Sequence, residues 1–422
     1  MEATNVTQEP EPQLSAYFEG LVDVVTDDAG EINYLINNGK NMSVQKSYAA
    51  DGVVYVPPAL NLLPFRVPQL SPVLKWYKKD DDRTLFRDIV EHFQKFSFVE
   101  AVHLVLLACY TMLTYLFDHE DVHYLGEILF HAAPERGKSR TGKTLIHLSF
   151  RGIHLAEVRE ATLLRYAQDS RATLFFDTKN FGSIVERKNC VDIILGRFEK
   201  GLKVARVHHP QKGPFKDIKL YRVFGATVIA TNEPVDNVLE TRCIPIPMPN
   251  RPGHYADSTF EISAVLRERI TAFRARNMFE SLPKLPEIEG LEGRLQDMAA
   301  PILQICQKVC PEHFRHLFNA FIEISDQKKL SKRETIEADV IASIIQVLPT
   351  EDNGYTDFEI ESAAVLSILN EGRTRNNRFT PQWLGLKVKT LGLKIGRRKS
   401  RSILILKKEE IEALKVQYGL AA

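Results

Sequence analysis

The spacing of apolar positions changes several times along the chain. From about residue 15 to 58, turn residues such as Asp51-Gly52 separate short apolar runs such as Val53–Val56, which predicts a small β-rich unit. Two helical patterns follow over about 83–118. Apolar runs of strand length then recur at 124–133, 173–177, 225–231 and 243–248. Helical or hairpin material lies between these runs, and this alternation predicts an α/β fold with a parallel sheet in three layers.

Phe98–Phe117 is the most apolar stretch of the chain, and its length raises the question of a membrane span. Glu100, His103, Thr111 and Thr114 interrupt it, and no further span follows. A buried core helix is therefore the better interpretation, and we expect no membrane partner.

Composition excludes little. Lys+Arg number 55 and Asp+Glu 54, so no global charge identifies a partner. The five cysteines are an odd and unpatterned set, which argues against a disulfide framework and favours a reducing, cytoplasmic location. Cys306 and Cys310 would share a helix face. No second ligand pair accompanies them, so helix packing is favoured over a zinc site.

A phosphate-binding pattern, Gly-x-x-x-x-Gly-Lys-Thr, follows the first of the predicted core strands. It comprises Gly137, Lys138, Ser139, Arg140, Thr141, Gly142, Lys143 and Thr144. In this interpretation the glycines let backbone N–H groups face phosphate oxygens, Lys143 bridges the β- and γ-phosphates, and the Thr144 hydroxyl binds Mg²⁺. The pattern predicts ATP and Mg²⁺ as cofactors; the alternative is a glycine-rich turn with a chance lysine.

Leu174–Asp177 is an apolar strand that ends in a carboxylate, which suits a ligand of the Mg²⁺ shell. The next residue is Thr178, which cannot act as a carboxylate base. The base therefore stays open between a water-mediated role of Asp177, degenerate hydrolysis, and a glutamate elsewhere. The glutamates considered are Glu157, Glu160 and Glu186.

Two further polar residues flank predicted strands. Asn232 follows the strand 225–231 and can orient an attacking water beside the γ-phosphate. Arg242 directly precedes the strand 243–246, where it can reach the nucleotide of a neighbouring subunit. The alternative for Arg242 is a surface ion pair.

Together these motifs resemble the AAA+ ATPases, and most of all their helicase branch of MCM-like, superfamily III and phage or plasmid primase–helicase motors. The resemblance covers about residues 84–330. It implies a homo-oligomeric ring, which we expect to be a hexamer, with ATP hydrolysed at subunit interfaces. It also implies a replicative-type DNA helicase of a mobile element or phage that moves on single-stranded or forked DNA. An ATP-switched initiator or loader, or a DNA regulator with degenerate hydrolysis, is the alternative.

The same family places a β-hairpin just before the asparagine strand. Residues 202–207 and 218–223 fit its two strands, and Lys212 and Lys216 near the tip would contact nucleic-acid phosphates. A solvated basic turn is the alternative. Arg294 resembles the arginine of the lid that senses the γ-phosphate, although Arg267, Arg269 and Arg274 compete for that role.

The C-terminus concentrates positive charge. Thr380 can cap a helix that starts at Pro381 and ends at Gly392. The run 394–406 then predicts a hairpin with a cationic tip formed by Arg397, Arg398, Lys399 and Arg401. A helix followed by a basic hairpin is typical of a winged helix that binds DNA; the alternative is a winged helix that docks a protein.

These predictions divide the chain into five segments. They are a disordered tail over 1–14, an N-terminal accessory β-rich unit and linker over 15–82, an AAA+ ATPase core over 83–251, a helical lid over 252–334 and a winged-helix domain over 335–422.

Overall fold

A computed structural model describes residues 12–250, 256–286, 290–333, 335–349, 357–374 and 377–420. The chain forms two compact units, the first up to residue 321 and the second from residue 322. The predicted domain ends at residues 251 and 334 fall on positions outside the described residues.

The strands of the first unit are β1 (Gln13–Leu14), β2 (Leu21–Thr26), β3 (Ile32–Asn37), β4 (Met42–Gln45), β5 (Tyr48–Ala50), β6 (Val53–Val56), β7 (Glu127–His131), β8 (Ile153–Leu155), β9 (Leu174–Asp177), β10 (Lys203–Val207), β11 (Ile218–Arg222), β12 (Thr227–Thr231) and β13 (Cys243–Pro245). Its helices are α1 (Leu70–Lys79), α2 (Asp82–Phe96), α3 (Ala101–Thr114), α4 (Lys138–Leu148), α5 (Glu160–Gln168), α6 (Phe181–Arg187), α7 (Val191–Gly196), α8 (Asn237–Glu240), α9 (Ala264–Asn277) and α10 (Gly293–Val309).

A five-stranded sheet forms the centre of this unit, in the order β13-β7-β12-β9-β8. Every neighbouring pair in it is parallel, which confirms the predicted α/β class with a parallel sheet. The four apolar runs of the sequence supply four of the strands. Strand β8 was missed because it has only three residues, and the middle one, His154, is polar and exposed.

Helices cover the sheet and each other. Helix α4 packs on β9 and β12, while α3 packs on α2 and α10. Because α3 is covered on nearly all sides, its residues are buried almost throughout, which confirms the core-helix interpretation of the stretch 98–117. In the described part of the chain, no helix is long and apolar enough to cross a membrane.

The N-terminal segment is β-rich, as predicted. Strands β2, β3 and β4 form one antiparallel sheet, and β1, β6 and β5 form another. The tail prediction is wrong for residues 13 and 14, because β1 pairs with Tyr55 and Val56. Sheet pairing satisfies backbone groups that a disordered tail would leave to water. Residues 1–11 of that tail lie outside the described residues.

A fully buried guanidinium joins this N-terminal sheet to α9. Arg274 donates to the carbonyl oxygens of Leu21 and Val22 at 2.9 and 2.8 Å, and it pairs with Asp118 at 2.6 Å. Arg269 similarly pairs with Asp80 at 2.9 Å. These contacts make both arginines structural, so they are not competitors for phosphate sensing.

The second unit contains a smaller antiparallel sheet and helices around it. Helix α11 (Phe314–Arg333) crosses the division between the units, and the remaining elements are α12 (Ile336–Val347), β14 (Asp357–Glu361), α13 (Ser362–Leu369), α14 (Pro381–Thr390), β15 (Lys394–Arg398), β16 (Arg401–Lys407) and α15 (Lys408–Gln417). The strand order is β14-β16-β15. The predicted cap is confirmed, since Thr380 Oγ1 accepts from the Trp383 N–H at 3.2 Å.

Glu127, the first residue of β7, is a buried acid whose two carboxyl oxygens find no hydrogen-bond partner among the described residues. Burial raises the pKa of Glu127 to about 8, although Arg197 and Arg242 lower it. The side chain is therefore held as a neutral acid near neutral pH.

The raised pKa of Glu127 makes stability depend on pH. An unfolded glutamate titrates near about 4.3, so between that value and about 8 the folded chain keeps a proton that the unfolded chain has lost. The free energy of unfolding therefore falls as pH rises through this window. We expect Glu127→Gln to flatten this dependence and to be more stable than wild type at alkaline pH.

Urea unfolding at about pH 5.5, 7 and 8.5 measures this effect, with Glu233→Gln as the exposed control. An equal loss of stability at all three pH values in Glu127→Gln would contradict the assignment, because it would indicate a packing defect instead.

Candidate functional site

The carboxyl ends of three strands meet at one edge of the parallel sheet. Ala230 of β12 lies opposite Phe130 of β7 on one side and opposite Asp177 of β9 on the other. The residues that follow these strands therefore share this edge. It is the edge where open α/β sheets bind ligands.

A short loop, residues 132–137, connects β7 to α4 at this edge. Gly137 has φ +79° and precedes the first residue of α4, so the loop enters the helix through a conformation that favours glycine. The Lys138 ammonium folds back into the loop and donates to the carbonyl oxygens of Ala132 and Ala133 at 2.8 and 2.7 Å. Burial lowers the pKa of Lys138, while the Asp177 carboxylate opposes that change.

The structure does not place residues 137–144 in one loop. Helix α4 begins at Lys138, so Ser139, Arg140 and Thr141 are already helical. The segment that connects β7 to α4 is Ala132 to Gly137, five residues earlier in the sequence than the predicted motif. Ala132-x-x-x-x-Gly137-Lys138-Ser139 repeats the pattern with alanine in its first position.

The predicted Mg²⁺ and phosphate ligands lie in the second turn of α4. Thr144 is fully buried, and its hydroxyl donates to the Arg140 carbonyl oxygen at 3.0 Å, so this hydroxyl is engaged within the helix. Lys143 is exposed on the outer face of the helix. The sequence does contain a signal for the earlier position. A phosphate-binding loop starts directly after its strand, and the apolar run of β7 ends at His131.

Gly142 is explained by packing. A Cβ atom at this position would lie 2.3 Å from Cζ of Phe175, far inside van der Waals contact. Glycine is therefore required for α4 to approach β9.

Asp177 and Asn232 lie at the same edge as Lys138. Asp177 is partly buried at the last position of β9, and its charge acts on both Lys138 and His154. The Asn232 N–H donates to the Lys179 carbonyl oxygen at 3.1 Å. This bond joins the loop after β12 to the loop after β9 and brings Asn232 beside the Asp177 segment.

Two of the three glutamates considered as bases are occupied by ion pairs. Glu160 pairs with Arg206 of β10, and Glu157 pairs with Arg159. Thr178 follows Asp177 with its hydroxyl buried and unpartnered among the described residues. No carboxylate takes the position directly after Asp177.

Arg242 and Arg294 lie at the opposite, amino edge of the sheet. The Arg242 carbonyl oxygen accepts from the N–H of Glu127, where β7 begins. Arg294 donates to Thr241 Oγ1 at 2.8 Å. A five-residue strand separates this edge from Lys138, a length of about 16 Å. Arg294 therefore lies at the edge away from Lys138, and its role as the γ-phosphate-sensing arginine stays a prediction.

The Arg242 side chain is held loosely at that edge. Its Nη1 donates to the Val238 carbonyl oxygen at 2.9 Å, and its guanidinium lies 5.7 Å from the Phe198 ring centre. In the described part of the chain, Arg242 Nε is a buried donor without an acceptor. Arg242 therefore lies away from Lys138 of its own chain.

The predicted hairpin is present. Strands β10 and β11 pair antiparallel from Lys203 with Arg222 to Val207 with Ile218. Arg206 anchors the hairpin through its ion pairs with Glu160 and Asp192. The tip, residues 208–217, therefore projects from a fixed base.

Two lysines and an aromatic ring are exposed at the hairpin tip. Lys212 and Lys216 are exposed, and Phe215 between them has φ +71° and is 95% exposed. Phe215 was missed by the sequence analysis. A ring between two lysines in a turn rich in proline and glycine is the signal that could have found it.

The basic hairpin of the second unit is partly neutralised. Arg398 pairs with Glu359 at 2.8 Å, and Arg401 pairs with Glu361 at 2.6 Å. Lys399 forms the turn between β15 and β16 with φ +46°, and Arg397 lies opposite Ser402 in the ladder. Among the four predicted contacts, two therefore share their charge with carboxylates of β14.

No protein-family model and no curated protein matches the chain. Among solved structures, it is similar to "SCCmec type IV Cch - active helicase", with a TM-score of 0.37 at 12% identity over 97% of this chain and 81% of that chain. It is also similar to an inhibitor-bound JCV helicase, with a TM-score of 0.27 at 12% identity over 67% and 74% of the two chains. A third is Cdc6p from Pyrobaculum aerophilum, with a TM-score of 0.21 at 10% identity over 75% and 92%. Similarities at this level do not support an argument about function. The proposal below is based on the geometry of the site.

The packing of Gly142 generates a stability prediction. We expect Gly142→Ala to destabilise the protein by about 1–3 kcal/mol, because overpacking against Phe175 outweighs the gain in helix propensity. Gly385→Ala in α14 is the matched control, since its Cβ would lie an ordinary 3.7 Å from Ile395. We expect that control to gain up to about 1 kcal/mol. Equal gains in both variants by denaturant unfolding would refute the packing explanation.

Proposed function

We propose that this chain is a Mg²⁺-dependent AAA+ ATPase that acts on DNA as a helicase. The observation that carries the proposal is the Lys138 ammonium, folded into the loop after β7 and within electrostatic reach of Asp177. A buried lysine held only by loop carbonyls, beside a strand-end carboxylate, fits a phosphate chain with its metal.

Each residue at the carboxyl edge has a role in this proposal. Backbone N–H groups of the loop and of the first turn of α4 hold phosphate oxygens. Lys138 moves from the loop carbonyls to the β- and γ-phosphates, and the Ser139 hydroxyl and Asp177 hold Mg²⁺. Asn232 orients the attacking water. ATP and Mg²⁺ are the cofactors.

The amino edge supplies the argument for an oligomer. Arg242 cannot reach Lys138 of its own chain, yet its guanidinium keeps a buried donor without an acceptor in the described residues. In a homo-oligomeric ring, expected to be a hexamer, the amino edge of one copy faces the nucleotide of the next. Arg242 then stabilises the negative charge that develops on the transferred phosphate.

The two hairpins supply the argument for DNA. Lys212, Lys216 and Phe215 combine cations with an exposed ring, the combination that holds the backbone and bases of single strands. In the second unit, the order from α12 to β16, with a helix directly before a basic hairpin, is that of a winged helix. Arg397 and Lys399 are its proposed phosphate contacts. Arg398 and Arg401 would contribute when DNA phosphates displace the carboxylates of Glu359 and Glu361 from them.

Thr178 favours a second candidate, an initiator or loader that uses ATP as a switch. A helicase of this class needs rapid turnover, and a carboxylate after Asp177 would activate water. Thr178 cannot do so, and its buried hydroxyl is unpartnered in the described residues. DNA unwinding with fast turnover supports the motor, whereas tight ATP binding with slow turnover supports the switch.

The central test compares the contributions of Lys138 and Lys143 to ATP turnover. We expect Lys138→Ala to lower ATP turnover by about 100-fold or more, because it removes a charge aimed at the phosphates. We expect Lys143→Ala to leave turnover within about twofold, since that side chain is exposed on the far turn of α4. ATP hydrolysis with and without single-stranded DNA measures both. The assignment of Lys138 to the phosphates would be overturned if Lys143→Ala lost ATP turnover and Lys138→Ala kept it.

The hairpin tip is tested by DNA binding. We expect the Lys212→Ala/Lys216→Ala variant to bind single-stranded DNA more weakly and to lower the slope of log affinity against log salt by about 1.4, roughly 0.7 for each phosphate contact. Phe215→Ala should weaken binding by about 1–3 kcal/mol with little change in that slope.

Lys203→Ala, an exposed lysine at the base of the same hairpin, is the matched control. The proposal for the tip fails if this control loses as much affinity as the double variant, or if neither changes stimulation of ATP hydrolysis by DNA.

A further inference from the structure

Three thiols converge in the core far from the nucleotide edge. Cys109 comes from α3, and Cys306 and Cys310 come from the end of α10 and the residue after it. All three are fully buried. About 200 residues of chain separate the first from the other two, so the fold and not the local spacing brings them together.

The separations of the sulfur atoms are those of metal ligands. Cys109 Sγ lies 3.9 Å from Cys310 Sγ, and Cys310 Sγ lies 3.5 Å from Cys306 Sγ. All three sulfur atoms lie within 4.8 Å of one another. Zinc–sulfur bonds of about 2.3 Å at tetrahedral angles place sulfur atoms about 3.8 Å apart. A disulfide would need about 2.05 Å.

A histidine three residues after Cys310 is a candidate for a fourth ligand. The chain turns after Cys310 into a short 3₁₀ turn, Pro311–His313. The His313 N–H donates to the Cys310 carbonyl oxygen at 2.9 Å and closes this turn. The His313 ring is not among the ligand atoms that lie within 4.8 Å of one another, so it would have to turn toward the sulfur atoms to share a metal ion with them. His313 is partly buried there, and its ring lies 6.2 Å from that of Phe86.

We propose that Cys109, Cys306 and Cys310 bind one Zn²⁺ as thiolates, with His313 as the fourth ligand. Such a set of three thiolates and one imidazole is a closed, tetrahedral, structural arrangement. The metal fastens the end of α10 and the following turn to α3. It does not take part in the reaction at Lys138, because α3 and α10 contribute no residue to that edge.

Ordinary packing of three thiols is the competing explanation, and metal content separates the two. The full-length chain is purified under reducing conditions without added metal, and zinc is measured by mass spectrometry. We expect close to one zinc per chain. Exchange with Co²⁺ should give thiolate-to-cobalt charge-transfer bands and the strong visible bands of tetrahedral cobalt. This measurement on wild type needs no variant to fold.

Variants then assign the ligands. We expect Cys109→Ser and Cys310→Ser to lose the zinc, whereas Cys190→Ser keeps it, because Cys190 is equally buried but outside the cluster. We expect His313→Ala to keep the charge-transfer bands and to lose at least about 10-fold in affinity, the lower limit for groups that support a metal site.

Three outcomes would overturn the proposal. They are a wild-type chain without zinc that also gives no cobalt–thiolate bands, cysteine variants that keep their zinc, and a disulfide between two of the three cysteines in protein prepared without oxygen. An unchanged affinity in His313→Ala would overturn the fourth ligand alone.

Discussion

Parallel pairing of five strands is the constraint on which the candidate chemistry depends. In a parallel sheet every carboxyl end lies at one edge, so Lys138, Asp177 and Asn232 meet there although they are distant in sequence. The same constraint sends Arg242 and Arg294 to the other edge. Residues at the two edges of one sheet cannot meet, whereas the amino edge of one copy can meet the carboxyl edge of another copy. A complete site of the proposed kind is therefore a property of neighbouring copies.

Buried guanidinium groups hold the elements around this sheet. Arg274 has no exposed surface, and it satisfies its donors with Asp118 and with carbonyl oxygens of β2 and of the end of α3. A charge buried this deeply is tolerated only when it is paired and hydrogen-bonded. The N-terminal sheet, α3 and α9 are thus parts of one body. The N-terminal sheet is therefore tied to the unit that contains the parallel sheet.

Much of the fold could be predicted from the sequence, because core strands are apolar runs and hairpin strands are bounded by proline and glycine. The cap at Thr380 and the pairing of β10 with β11 were predicted for the same local reasons. The position of the loop between β7 and α4 was not predicted correctly. Two Gly-Lys pairs stand five residues apart in the sequence, and only the contact with Phe175 explains the second glycine. The third thiol, Cys109, was also beyond a spacing argument, because tertiary packing alone places it beside Cys306.

The base of the hairpin is hydrogen-bonded to the parallel sheet through a buried arginine. Arg197, fully buried, donates to the carbonyl oxygens of Val223 and Ala226 at 3.2 and 2.6 Å, and its Nε donates to Thr227 at 2.7 Å. These bonds fasten the segment between β11 and β12 to the sheet that carries Asn232. The base of the hairpin and the strand that precedes Asn232 are therefore joined in one hydrogen-bonded unit. In the proposed motor, a change at Asn232 would reach the hairpin through these bonds and not through a flexible linker.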